Sequence, residues 1–199
     1  MAQGEFGLSG GSDERAPPCL ASPIISLVGQ LNDQSARSVI EQIRKAADGG
    51  GDVAMEVTTL GGDAEMARRI VLDLDRARSQ MGSRRLSFVG KTVVYSAGVT
   101  IMSAFSSAER WLTPDAILLI HCRQLDKTVE VSGPMRASLA EVEALAAQIR
   151  TGLALEDENF RRLAEGSDIG VDELCGRAIH NWYMTAQEAV DRRLVAGLA

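Results

Sequence analysis

The sequence predicts an α/β fold in which parallel strands are joined by helical crossovers. Short apolar runs alternate with segments of helical spacing from residue 25 onward. That alternation calls for right-handed connections between parallel strands. Hydrophobic residues make up 45% of the 199 residues and aromatics only 4%, so Val, Ile, Leu, Met and Ala must fill the core. The length suits one domain with a sizeable interior.

The elements follow in order. "IISLVG" (24–29) is a short apolar run ending in glycine and reads as a buried strand. In the next segment Ile40, Ile43 and Ala47 keep helical spacing, and the glycine run at 49–51 stops the helix. "DVAMEVTT" (52–59) is a second strand. "LGGD" then turns tightly into a helix carrying Met66, Ile70, Val71 and Leu74. "RLSFVG" and "TVVY" are strand-like, "SAGVTIMSAF" is an uncharged and therefore buried helix, and "AILLIH" (116–121) is another buried strand.

From about residue 134 the chain becomes long, charged and helical. Ser138 and Glu141 have capping-box spacing, which predicts a helix start there. Leu139, Val142, Leu145 and Ile149 form one apolar stripe, which faces either the body or a second subunit. The C-terminal part reads as helix, short strand, helix, with a second capping-box pair at Thr185 and Glu188.

Composition excludes several classes. The net charge of −6 with no Lys/Arg block gives no footprint for nucleic acid. Apolar runs fall well short of the roughly 18 residues of a membrane span. Cys19, Cys122 and Cys175 match no zinc or redox spacing and read as free thiols in a reducing, cytoplasmic compartment. No metal or cofactor is expected. The polar, Gly-rich residues 1–22 lack the apolar core of a signal peptide and are expected to be a disordered tail.

One constellation carries chemistry. Ser96 falls where a strand meets a helix, so its hydroxyl projects and the Ala97 amide lies in the unpaired first turn. "LGG" at 60–62 supplies a second turn with exposed amides. His121 ends a buried strand, a well-fixed place for a base. A serine nucleophile needs such a base and such oxyanion donors. Each piece taken alone has a plainer reading: an N-cap, a turn, a structural histidine.

The order of the pieces resembles the ClpP family of serine peptidases. "ISLVGQLND" resembles the family's first strand and turn, "TTLGGD" its oxyanion turn, "YSAGV" its nucleophile elbow, and "YMTAQEAVDRRLV" its closing strand–helix unit. The Ser96-to-His121 spacing is also similar. The likeness spans roughly residues 23–197. It implies a ClpP/crotonase-type spiral of β-β-α units over 23–199, with a helical handle from about 124 to 166. It implies a serine endopeptidase that cleaves peptides or unfolded protein through an acyl-enzyme. Ser96 would be the nucleophile, His121 the base, and Gly61 or Gly62 with Ala97 the oxyanion donors. Homo-oligomeric rings fed by an ATP-driven unfoldase are part of the same implication.

The departures are specific. Asn181 stands where the family keeps an aspartate, and His180 precedes it. Asp168 and Asp172 are the other groups able to orient His121. Leu60 replaces the usual proline of the turn, and Gly90 lies six residues before Ser96, which lengthens the approach to the elbow. "CRQ" follows His121, the handle segment is less Gly-rich, and the N-terminus lacks the family's axial-loop pattern. Rival readings are an inactive structural ring subunit, a crotonase-type acyl-CoA enzyme using Asp63 or Glu65, and a non-enzymatic assembly protein.

Overall fold

The computed structural model describes residues 24–130 and 132–199. The expected N-terminal tail and Cys19 lie outside the described residues. Strand β1 (Ile24–Val28) leads into α1 (Asp33–Asp48), β2 (Val53–Thr59) into α2 (Ala64–Met81), and β3 (Leu86–Tyr95) into the short α3 (Ala97–Met102). These three strands pair in parallel, in the order β1-β2-β3, as the alternation predicts. Two helix starts are fixed by side chains. Asn32 and Ser35 cap α1 reciprocally, and Asp63 accepts from the amides of Glu65 and Met66 at α2.

The sheet forks at β3. Its first half pairs with β4 (Arg110–Leu112), its second half with β5 (Ile117–Ile120). The switch falls where the β2–β3 register shifts, between Gly90 and Val94, and Thr92 there has φ 57°. "RLSFVG" and "TVVY" are therefore one irregular strand. A side chain at Gly90 would meet Leu112 Cδ2 at 2.6 Å and Val94 Cγ2 at 2.8 Å, so only glycine lets both partners converge. The lengthened approach to Ser96 is this fork. A closing unit of α5 (Val171–Ala178), β6 (Trp182–Thr185) and α6 (Ala186–Asp191) returns antiparallel to β5, and β7 (Gly197–Leu198) extends β4. The pattern is that of a ClpP-type mixed α/β spiral.

Helix α4 (Met135–Ala164) runs 30 residues, about 45 Å at 1.5 Å per residue. It starts at Met135 with Pro134 as its N-cap, not at Ser138. The Ser138 hydroxyl instead donates back to Pro134 O at 3.4 Å, the in-helix alternative to capping. The C-terminal half of α4 is docked: Glu156, Phe160 and Leu163 are buried. Leu139, Val142 and Ile149 are exposed and Leu145 is half-buried, so the stripe does not pack on this chain's body.

A buried arginine ties the distant parts together. The Arg110 guanidinium is fully buried and donates to the carbonyls of Phe105, Leu163, Leu194 and Arg162 at 2.8–3.2 Å. Burial pulls its pKa down to about 10. It thus closes the end of α4 onto β4 and the segment after α6.

Candidate active site

Ser96 sits at the junction of β3 and α3 with φ 54° and ψ −113°, a conformation a non-glycine residue holds only under constraint. Its amide donates to Leu119 O at 2.9 Å, which anchors the junction to β5. Its hydroxyl caps nothing and has no hydrogen-bond partner among the described residues. The plain N-cap reading is therefore not what the structure shows. The side chain opens instead on a cavity of about 370 Å³ that also meets Gly62, Ala97, His121, Glu156 and Asn159.

The glycine turn lies directly under the serine. A side chain at Gly61 (φ +98°) would meet Ser96 Cβ at 2.8 Å, and one at Gly62 (φ +143°) would meet Leu31 O at 2.1 Å. Both positions need glycine. Their amides differ. Gly61 N–H donates to Thr59 Oγ1 at 3.0 Å, whereas Gly62 N–H has no partner among the described residues. The Ala97 N–H is also unpaired, in the first turn of α3. The geometry thus offers Gly62 and Ala97 as the free donors.

His121 follows β5, and its ring Nδ1 contacts Cys122 O at 2.6 Å. A carbonyl can only accept, so Nδ1 carries the hydrogen, and in the neutral ring Nε2 is the acceptor. An open hydroxyl, an imidazole with a free Nε2 and two unpaired amides on one cavity are the parts that acyl transfer uses.

The Clp protease family model matches residues 17–198. The chain belongs to the Clp protease family. It is 28% identical over 174 residues to an ATP-dependent Clp protease proteolytic subunit of Streptococcus sanguinis, covering 86% of this chain and 82% of that protein. It is 26% identical over 176 residues to the proteolytic subunit of Streptococcus agalactiae, with 86% and 82% covered.

The remaining predicted positions are arranged as follows. Trp182 pairs with Ile120, so Asn181 lies one register step further, beside His121. Asn181 is exposed, has φ 59°, and makes no hydrogen bond to the ring. Asp168 is engaged by Arg193, whose guanidinium holds its carboxyl below the usual carboxylate range. Asp172 and His180 are exposed on and after α5. None of these four lines the cavity. Asp63 caps α2, and Glu65 pairs with Arg123, so neither is a spare carboxylate in the way a crotonase-type reading needs.

Sequence reasoning missed the strongest acidic feature of the site. Glu156 of α4 is 8% exposed and accepts from the Arg123 N–H. Burial, then the nearby Glu156 carboxylate, push the Cys122 thiol up to about 11. A glutamate amid the charged run "LEDENF" gives no local sign of burial. Asn159 accepts from the Ser103 hydroxyl at 2.6 Å and lines the same cavity. Among the described residues no cluster of His, Cys, Asp or Glu could hold a metal, and no helix is long and apolar enough to cross a membrane.

Proposed function

We propose that this protein is a serine endopeptidase acting on short peptides or unfolded protein. The observation that carries the reading is Ser96, held at positive φ with an open hydroxyl, on a cavity shared with His121, Gly62 and Ala97. Ser96 Oγ attacks the scissile carbonyl carbon while His121 Nε2 takes its proton. The Gly62 and Ala97 amides hold the oxyanion. The imidazolium then protonates the leaving amine, leaving an acyl-enzyme, and water repeats the cycle in reverse. Asn181, beside the ring, contributes an amide and no charge.

The same proposal includes a homo-oligomeric ring in the cytoplasm, where free thiols such as Cys122 and Cys175 stay reduced. The exposed apolar stripe of α4 supports the assembly. The curated relatives are named as subunits of ATP-dependent proteases, which supports an ATP-driven unfoldase as the source of substrate.

The test is reaction with a fluorophosphonate followed by mapping of the modified residue. Label on Ser96, lost in Ser96→Ala together with hydrolysis of a fluorogenic peptide, is the expected result. Label that persists at Ser103, Ser106 or Ser107 in Ser96→Ala would sink the assignment. So would a parent that neither labels nor hydrolyses, which leaves a structural subunit.

A further inference from the structure

We propose that Glu156 is a positioning residue that holds and polarises His121 through the Cys122–Arg123 peptide group. The inference rests on the peptidase reading above. The Cys122 carbonyl that accepts from His121 Nδ1 and the Arg123 N–H that donates to Glu156 Oε2 belong to one planar peptide unit. Imidazole, peptide and carboxylate therefore form a continuous hydrogen-bonded chain. Such chains polarise along their length: a carboxylate on the N–H makes the carbonyl of that peptide a stronger acceptor.

The energetics favour a functional role over a packing one. Glu156 is 8% exposed and joins no ion pair among the described residues. Arg123, whose N–H it accepts, gives its guanidinium to Glu65 instead. A buried carboxylate without a counter-charge is costly in the resting protein. The cost diminishes when His121 takes the serine proton, because a positive charge then appears two hydrogen bonds away. An interaction that strengthens as the imidazolium forms lowers the barrier rather than tightening substrate binding. It also fits the uncharged, exposed Asn181 beside the ring. The negative charge that orients and stabilises the base enters from α4, by way of a peptide, and not from β6.

The anchoring is local and firm. Glu156 sits in the docked half of α4, four residues before the buried Phe160. The 121–130 segment has no regular secondary structure, so the Arg123 N–H has no ladder partner to take Glu156's place. Besides Arg123, the titratable and charged groups near the clamp are the Cys122 thiol, which hydrogen-bonds to Glu156, Asp157 and Asp172, which face Cys175, and Glu158, Arg68 and Arg162 on the cavity wall. All of these are unchanged in the variants below.

The experiment compares Glu156→Gln, Glu156→Leu and Glu143→Gln in the full chain, with Ser96→Ala as reference. A glutamine at 156 still accepts from Arg123 N–H but carries no charge; a leucine does neither. Glu143 makes the same charge change on the exposed face of α4. Steady-state hydrolysis of a short fluorogenic peptide is followed from pH 5 to 9. Glu156→Gln should lose about tenfold in kcat with KM within about twofold, and the acid limb of its pH profile should move to lower pH. Glu156→Leu should lose about a hundredfold, and Glu143→Gln should match the parent. Parental kcat and an unmoved acid limb in Glu156→Gln overturn the inference alone. An unmoved limb overturns it also where the variant melts early, since lost folding lowers amplitude without shifting the limb. Hydrolysis that survives Ser96→Ala overturns the peptidase reading and this inference together.

Discussion

At the scale of single residues, the site depends on backbone that only glycine can form. Gly62 has φ +143° and lies with its Cα facing Leu31 O, where a methyl would stand 2.1 Å from the oxygen. That neighbour is main chain, held in place because Leu31 O accepts from Asp63 N–H and Leu31 N–H donates to Gly61 O. It cannot swing aside as a side chain would. Gly62→Ala must therefore move the turn, and with it the free amide below Ser96. One oxyanion donor is worth about 10²–10³ in rate. We expect Gly62→Ala to lower kcat by about that factor while circular dichroism stays close to the parent; stopped or steady-state peptide hydrolysis checks it. Parental kcat would remove Gly62 from the oxyanion assignment and return the role to Gly61. Gly61 starts at a disadvantage, because its N–H is already given to Thr59 Oγ1.

At the scale of elements, α4 divides into two halves with different duties. Glu156, Phe160 and Leu163 pin its C-terminal half to the body, while Leu139, Val142 and Ile149 stay open to solvent on its N-terminal half. A row of exposed aliphatic side chains on one helix face seeks a partner. Val142 is 46% exposed in the single subunit, so a charge there does not enter this chain's core. Val142→Glu should leave the subunit folded, with its melting transition cooperative, and should shift the light-scattering mass toward smaller species at micromolar concentration. An unfolded subunit would mean that the stripe packs inward in solution. An unchanged mass would place the interface elsewhere.

At the scale of the whole molecule, Arg110 connects parts of the chain that are far apart in sequence. Its guanidinium satisfies carbonyls at residues 105, 162, 163 and 194, among them the last turn of α4. Phe105, Leu163 and Leu194 are buried along with the arginine, so water does not replace it at their carbonyls. Methionine keeps the apolar stem and none of the donors. Arg110→Met should leave several buried carbonyls unsatisfied and cost about 3 kcal/mol, a fall of roughly 6–12 °C in melting temperature at this size. Differential scanning calorimetry at matched oligomeric state tests it, and a loss under about 1 kcal/mol would mean that the arginine is dispensable. Because α4 carries both Glu156 and the apolar stripe, loosening its base should also lower activity.

The sequence by itself determined the parallel β1-β2-β3 core, the strand–helix elbow at Ser96 and the strand-end position of His121. These follow from apolar periodicity and from glycine and capping residues, which act within a few positions of one another. The start of α4 was misread from the same local logic, since Ser138 and Glu141 have capping spacing but Pro134 already opens the helix. The strands β4 and β7 were not legible: three and two residues long, they hold their place through pairing and not through pattern. Only the tertiary structure decided which glycine amide is free, that Asn181 faces solvent, and that Cys122 O holds the histidine ring. It alone brought Glu156 to Arg123, 33 residues away in sequence. The reason is physical. Hydrogen-bond partners and burial are set by where separate elements dock, and a glutamate in a charged helix reads the same whether its face turns toward water or toward a peptide bond.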